Sequence, residues 1–327
     1  MKGTDMAAED ADATLSELGE FAVIDRLVAD RRQPPAVSLG PGDDAAVVFA
    51  ADGRTVVCTD MLVEGRHFRL DWSTPHDIGR KAIAQNAADI EAMGARATAF
   101  VVAFGAPGDT PTAAAVQVAD GMWHEAALLG AGIVGGDTVA APQWVISVAA
   151  LGDLGGREPV CRDGARPGDT VAVTGVLGRS AAGYEVLRNG IDGFDELRRQ
   201  HRVPSPPYGQ GAIAAQAGAT AMTDVSDGLL ADLAHIASAS GVSIDITLDT
   251  LTSDEAAVAD AAGATGVDAR QWVLGGGEDH ALVATFPGAV PPNWRVLGTV
   301  AATAADGAPA VTVDGSPWIG NAGWQSF

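Results

Sequence analysis

Short β-branched runs alternate with longer Ala- and Leu-rich amphipathic runs along most of this chain, and that alternation confines it to the α/β class. Residues 54–58, 99–104 and 144–151 read as strands, and 21–29 and 112–130 as helices. Between 77 and 93, Ile83, Ala87 and Ile90 recur on one helical face, and Gly94 stands where a helix stops. A polar, Gly-rich stretch at 152–157 breaks the pattern and marks a domain boundary. The second half restarts with strand 169–174 and helix 181–189. After a Pro-rich break at 203–207 come helix 211–217, strand 220–224, helix 228–240 and strand 243–248. Further strands are predicted near 281–286, 295–300 and 310–313. The expected division is a disordered N-terminus over 1–17, an N-terminal domain over 18–151 and a C-terminal α/β domain over 152–327. No fixed-period repeat is visible.

Charge excludes some partners. The 327 residues carry 20 Lys+Arg against 42 Asp+Glu, a formal net charge of −22, and such a field repels nucleic acid and anionic membrane surfaces. A hydrophobic content of 47% is too high for a disordered chain. Cys58 and Cys161 stand alone, without the company that a disulfide framework or a zinc site needs. The acidic start has no apolar core, and the longest apolar stretches, 97–106 and 144–151, fall short of the roughly 20 residues of a membrane span. A cytoplasmic protein with no membrane or nucleic-acid partner is expected.

Common catalytic signatures are missing. The only lysines, Lys2 and Lys81, follow no phosphate-binding GxxxxGK loop, and the protein-kinase motif set is absent. His124-Glu125 lacks the second histidine of HExxH, and there is no GxSxG elbow. What recurs is aspartate beside glycine at the end of an apolar run. The instances are Gly42-Asp43-Asp44, Thr59-Asp60, Gly136-Asp137 and Asp224-Val225-Ser226-Asp227-Gly228. Asn86 and Asp89 share one surface of a predicted helix. Singly, each motif also reads as a turn, a helix cap or a solvated face. Jointly, they fall where strand-end loops of α/β sheets bind ligands. Two carboxylates about 4 Å apart repel by about 4 kcal/mol at an effective dielectric near 20, so a converging set needs cations. Oxygen-only ligands suit Mg²⁺ or Mn²⁺, and Mg²⁺ held by few carboxylates commonly also holds substrate phosphates. The residues therefore point to a multi-metal, phosphate-handling enzyme.

Several stretches together resemble the thiamine-monophosphate kinase family. They are Gly42-Asp43-Asp44-Ala45, the run from Thr59 to Phe68, Asn86-Ala87-Ala88-Asp89-Ile90-Glu91-Ala92-Met93-Gly94 and Val134-Gly135-Gly136-Asp137-Thr138. The run from Arg162 to Asp169, Asp224-Val225-Ser226-Asp227-Gly228-Leu229 and Gly276-Gly277-Glu278-Asp279 complete the ordered set, which covers the chain from about residue 18 to its end. The resemblance implies the aminoimidazole-ribonucleotide-synthetase-like fold, two α/β domains with mixed sheets, the N-terminal sheets forming the core of a homodimer. It implies transfer of the γ-phosphoryl of ATP to thiamine monophosphate, with several Mg²⁺ ions bridging the phosphate chains. Carried over by position, Asp44, Thr59, Asp60, Asp89, Asp137, Asp224 and Asp227 would hold metals, directly or through water. Gly136, Asp137, Arg162 and Ser226 would contact ATP, and His67, Glu278 and Trp324 would form the thiamine site, with Trp318 the nearby alternative aromatic. Cys58 stands where relatives often carry a hydroxyl residue, a departure that is harmless if its carbonyl is the ligand.

Two other readings stay open at this level. One is an aminoimidazole-ribonucleotide-synthetase-like enzyme, which shares the implied fold. The other is a non-catalytic nucleotide- or metal-binding protein, against which the intact set Asp60, Asp89, Asp137 and Asp224 argues.

Overall fold

The computed structural model describes residues 13–18, 20–29, 31–39, 46–303 and 307–323. Two compact units divide after Asp153, with Ala87–Arg96 going with the second. In the first unit, α1 (Leu15–Leu18) and α2 (Glu20–Val28) precede a two-stranded antiparallel pair, β1 (Val37–Leu39) with β2 (Val47–Val48). Then follow β3 (Val56–Val63), α3 (Pro75–Ala92), β4 (Arg96–Ala106), α4 (Thr112–Leu129), β5 (Gly132–Ala140) and β6 (Val145–Asp153). The last four strands form a sheet in the order β3-β6-β4-β5. β3 and β6 pair antiparallel from Val56↔Gly152 to Val63↔Val145, whereas β4 and β5 are parallel and need the crossover helix α4.

Local chemistry sets the helix ends. Asp77 Oδ2 accepts the Thr74 N–H at 3.2 Å while Thr74 Oγ1 accepts the Asp77 N–H at 3.1 Å, a reciprocal capping box that starts α3. Gly94, at φ 73°, donates to Glu91 O at 2.8 Å and stops the chain there, as its position predicts. Where α3 meets α4 the backbones touch: a Cβ on Gly79 would land on the Val118 carbonyl oxygen, and one on Gly121 on that of His76. Burial alternates along β3. Val57, Thr59 and Met61 are exposed, Cys58 and Asp60 half-buried, and Leu62 buried.

The second unit holds β7 (Thr170–Thr174), α5 (Arg179–Arg188), α6 (Asp195–Arg202), α7 (Gln210–Gln216), β8 (Ala221–Asp224), α8 (Leu229–Ser240) and β9 (Val242–Ile246). After a 3₁₀ turn at Leu248–Leu251 come α9 (Thr252–Thr265), α10 (Ala269–Gly275), β10 (Leu282–Phe286), β11 (Arg295–Ala302), β12 (Val311–Val313) and β13 (Ser316–Pro317). The strands order as β13-β12-β9-β11-β7-β10-β8, with only the β12–β9 pair parallel among those described. Every residue of β10 is buried, because both sheet faces are covered. Val283 joins one apolar cluster with Leu229, Leu233, Val258 and Trp272, while Leu282, Ala284 and Phe286 join another with Met222 and Trp294. Among the described residues no helix is long and apolar enough to cross a membrane.

The mixed α/β expectation holds, with three local corrections. The strand expected at 54–58 begins at Val56 and runs to Val63, so Asp60 lies inside it, and Asp137 lies inside β5, which the sequence did not suggest. Both aspartates were expected at strand ends, because Asp and Gly disfavour strands, yet β3 and β5 are edge strands where such residues cost less. Leu248 leaves the predicted strand for the 3₁₀ turn, and α6, α9 and α10 arise where charge or Ala-Asp-Gly composition blurs helical periodicity.

The helix contact makes a clear prediction. Gly121→Ala should destabilise the protein by about 1–3 kcal/mol, the usual cost of overpacking. Gly263→Ala is the control, since nothing lies within 4 Å of its would-be Cβ in α9. It should be neutral or raise stability by about 0.5–1 kcal/mol. Thermal denaturation of both variants decides, and equal melting temperatures would refute the contact.

Candidate active site

In the first unit, β3 is stitched to α3 at Asp60. Asn86 Oδ1 accepts the Asp60 N–H at 3.0 Å, Gln85 Nε2 donates to Asp60 Oδ2 at 3.2 Å, and Asn86 Nδ2 donates to Ala82 O at 2.9 Å. With its N–H aimed at α3, Asp60 turns its carbonyl toward the free edge of β3, and by strand alternation so does Cys58. The Cys58 thiol donates to Asn86 O at 3.4 Å, and the Thr59 hydroxyl donates across to Val148 O at 2.8 Å. His67 Nδ1 accepts the Val63 N–H at 3.0 Å, which leaves Nε2 to carry the ring proton. Its carbonyl accepts from Lys81 Nζ at 2.9 Å, and that lysine is only 2% exposed. Gly136 and Asp137 are exposed on β5, and a Cβ on Gly136 would land on Val102 O. β3 and β5 are the two edges of the sheet, so at least three strand spacings, about 14 Å of sheet width, separate Asp60 from Asp137.

In the second unit, Asp224 ends β8, buried, with His280 Nδ1 3.0 Å from its Oδ2. A carboxylate only accepts, so Nδ1 carries the proton. The turn after Asp224 is zipped to the segment before β10: Glu278 N–H donates to Ser226 O at 2.8 Å and His280 N–H to Val225 O at 2.9 Å. This lies beside two left-handed non-glycine residues, Glu278 at φ 63° and His280 at φ 53°. Asp232 Oδ2 accepts the N–H groups of Asp227 at 3.1 Å and Gly228 at 3.0 Å. Asp279 accepts those of Gly178 at 2.5 Å and Ser180 at 2.8 Å. His201 Nδ1 lies 3.2 Å from Ser180 Oγ and 3.6 Å from Glu278 Oε2. Arg162 is exposed, its carbonyl held by Ser240 Oγ at 2.8 Å.

These groups share one field. Burial pushes the Asp227 carboxyl up; the charge of Asp224 adds to the rise, while His235, Arg162 and His280 oppose it. Burial would lower the His280 imidazole, but the hydrogen bond and charge of Asp224, then Glu278 and Asp89, raise it overall. Asp89, half-buried in the Ala87–Arg96 stretch that goes with the second unit, adds its charge to that field. Asp44 and Trp324 lie outside the described residues. Trp318 is half-buried, its Nε1 donating to Asn321 O at 3.3 Å.

The donors suit a hard cation. Asp60, Asp137, Asp224 and Asp227 offer oxygen alone, and Asp224 Oδ1 makes no hydrogen bond among the described residues. Ligand atoms of Asp227, Asp232 and His235 lie within 4.8 Å of one another. Sequence reading missed Asp232, His235 and His280. The i, i+3 spacing of Asp232 and His235 was a usable signal, but His280 pairs with a residue 56 positions away.

Against known families, the chain matches the AIR synthase related protein models, the N-terminal domain over 42–154 and the C-terminal domain over 166–284. It is 66% identical over 314 residues to thiamine-monophosphate kinase of Mycobacterium tuberculosis, covering 96% of this chain and 93% of that one. It is 45% identical to thiamine-monophosphate kinase of Corynebacterium glutamicum, covering 96% and 95%. Among solved structures, AaThiL complexed with AMPPCP and TMP superposes with a TM-score of 0.76 at 30% identity, over 96% of this chain and 99% of that one. The chain belongs to the AIR synthase related family and, within it, to the thiamine-monophosphate kinases, as the ordered motifs suggested.

The buried carboxyls set a pH dependence. Asp232 and Asp279 are each pushed up to about 7, burial being the largest cause. A carboxyl whose pKa rises on folding stabilises fully below its unfolded value near 4, and that stabilisation is lost as pH rises through its folded value. Carboxyls held below the ordinary range, such as Asp52 and Glu196, finish titrating under that window. In chelator, the urea midpoint should therefore fall from about pH 5 to about pH 8, and Asp232→Asn should flatten the decline. A midpoint rising over that range would contradict the assignment.

Proposed function

We propose that this chain transfers the γ-phosphoryl group of ATP to the phosphate of thiamine monophosphate, giving thiamine diphosphate. The observation that carries the reading is the match to thiamine-monophosphate kinases over 96% of the chain, together with the carboxylate oxygens of Asp224 and Asp227, donors suited to Mg²⁺. AaThiL in complex with AMPPCP and TMP supports the pairing of a nucleotide with a second phosphate substrate. In this reading residues 18–151 form the ATP/metal-binding and dimerisation domain, residues 152–327 the C-terminal α/β domain, and the enzyme works in the cytoplasm.

Asp44, Thr59, Asp60, Asp89, Asp137, Asp224 and Asp227 hold several Mg²⁺ ions; Thr59 does so through water or backbone, since its hydroxyl serves Val148. When bound, Mg²⁺ neutralises phosphate charge at the reacting group. Gly136, where a Cβ would run into Val102 O, Asp137, Arg162 and Ser226 contact ATP. The acceptor oxygen is already ionised, so no strong general base is required and transfer is direct and in line. His67 stands beside the substrate, Glu278 offers a carboxylate to the cation or the amino group, and Trp324 an aromatic face to the thiazolium.

We further infer a homodimer. Val57, Met61, Val101 and Val139, on β3, β4 and β5, are 38–64% exposed, more open apolar surface than a free sheet face tolerates. One ion cannot bridge Asp60 and Asp137 across about 14 Å, but a two-fold partner that lays its β5 beside β3 brings the two together.

The direct test is a coupled assay for ADP formation with thiamine monophosphate beside aminoimidazole precursors; turnover only with the latter would overturn the reading. Asp60→Asn and Asp137→Asn should each lower kcat by at least about 100-fold with folding intact. If the site spans two copies, exchanging subunits between these two inactive variants should restore about a quarter of wild-type activity, one good site in half the dimers. No restoration would place both residues in one subunit's site.

Substrate choice is tested at the aromatic. Trp324→Ala should raise KM for thiamine monophosphate roughly 2- to 30-fold, equivalent to about 0.5–2 kcal/mol, with little change for ATP. A selective loss in Trp318→Ala instead would move the pocket there.

A further inference from the structure

A buried imidazole that takes no part in the proposed chemistry stands against the last residue of β8. His280 is 6% exposed and Asp224 2%, and their 3.0 Å hydrogen bond engages Oδ2 alone. Oδ1 makes no hydrogen bond among the described residues and is not a sealed, partnerless atom. His280 is held there by construction. Its N–H is fixed to Val225 O, its φ is 53°, and the preceding Glu278 N–H is fixed to Ser226 O. Left-handed conformations at non-glycine residues persist where the surroundings impose them, and they gather at functional sites. Here the imposed conformation delivers one ring nitrogen to one carboxylate oxygen.

We propose that His280 is a positioning residue for Asp224: its Nδ1–H fixes Oδ2 and so presents Oδ1, pre-oriented, to a divalent cation. The inference rests on the reading of Asp224 as a metal ligand. An outer partner of this kind orients a ligand that would otherwise rotate about its χ angles, and losing one typically weakens metal binding about 10- to 100-fold. Glu278 and Asp89 reach the imidazole through their charge, whereas Asp224 takes its Nδ1–H hydrogen bond.

The test titrates the metal-free full-length protein with Mn²⁺ and reads free Mn²⁺ by electron paramagnetic resonance, so that binding is seen without turnover. His280→Phe keeps a planar ring without the donor and should bind Mn²⁺ at Asp224 about 10- to 100-fold more weakly. His280→Asn places its Nδ2 where Nδ1 stood and should stay within about 3-fold of wild type, as expected when only the donor matters. Should His280→Phe fail to fold, His280→Gln, whose amide reaches the Nε2 position instead, takes its place and should be weak where His280→Asn is tight. Equal affinity in all variants, or equal loss in His280→Asn and its partner variant, overturns the proposal. Asp224→Asn separates the two readings. Loss there with none in His280→Phe sinks the role of His280 alone, whereas no loss in Asp224→Asn sinks the metal assignment along with it.

Discussion

Burying carboxylates is the constraint around which the second unit is organised. Asp169, Asp224, Asp232, Asp254 and Asp279 are all buried, and an uncompensated buried charge costs several kcal/mol. Each is met by aimed donors. Asp279 takes the backbone N–H groups at the start of α5, Asp232 those of the turn before α8, and Asp254 the Leu177 N–H together with Arg295. Asp169 takes Arg166 N–H and Thr220 Oγ1, and Asp224 takes His280. The loops after β7 and β8 have the shapes they have because their amides must reach these acids. Gly178 and Gly228, at φ 77° and 132°, sit where a Cβ would run into Val273 and Gly275.

That arrangement also prepares chemistry. Phosphoryl transfer asks for positioned charge more than for covalent partners, so rigid placement of oxygens matters more than any single reactive group. The zipper between the Asp224–Gly228 turn and the Gly276–His280 segment fixes both at once, with Ser226 and Glu278 joined through their backbones. Asp227 and Asp232 are held as neighbours whose carboxyls burial pushes up, the charge of Asp224 adding to the rise. A bound cation would offset that repulsion and favour the ionised carboxylates.

In the first unit the same demand is met differently. Asn86 and Gln85 hold Asp60 from α3, and the glycine pair Gly79 and Gly121 lets α3 and α4 approach backbone to backbone. Lys81, buried beneath His67, spends its ammonium on a loop carbonyl, which fixes the histidine's backbone while Val63 fixes its ring. Position here comes from helix and strand backbones, through Asn86 and Gln85 on Asp60 and Lys81 on the His67 carbonyl.

The sequence by itself determined the α/β class, the glycine stop of α3 and the family, because periodicity, turn residues and ordered motifs are local signals that survive without context. It pointed to the aspartates but misjudged their setting, taking Asp60 and Asp137 for strand-end residues when both lie inside edge strands. Propensity speaks for a residue alone, whereas edge position is a property of the finished sheet. Only the tertiary structure decided that Asp224 faces His280 across 56 positions, that Lys81 is buried under His67, and that Glu278 and His280 adopt left-handed backbones. Those pairings rest on contacts distant in sequence, which form only when the core closes and each buried charge is forced to find its partner.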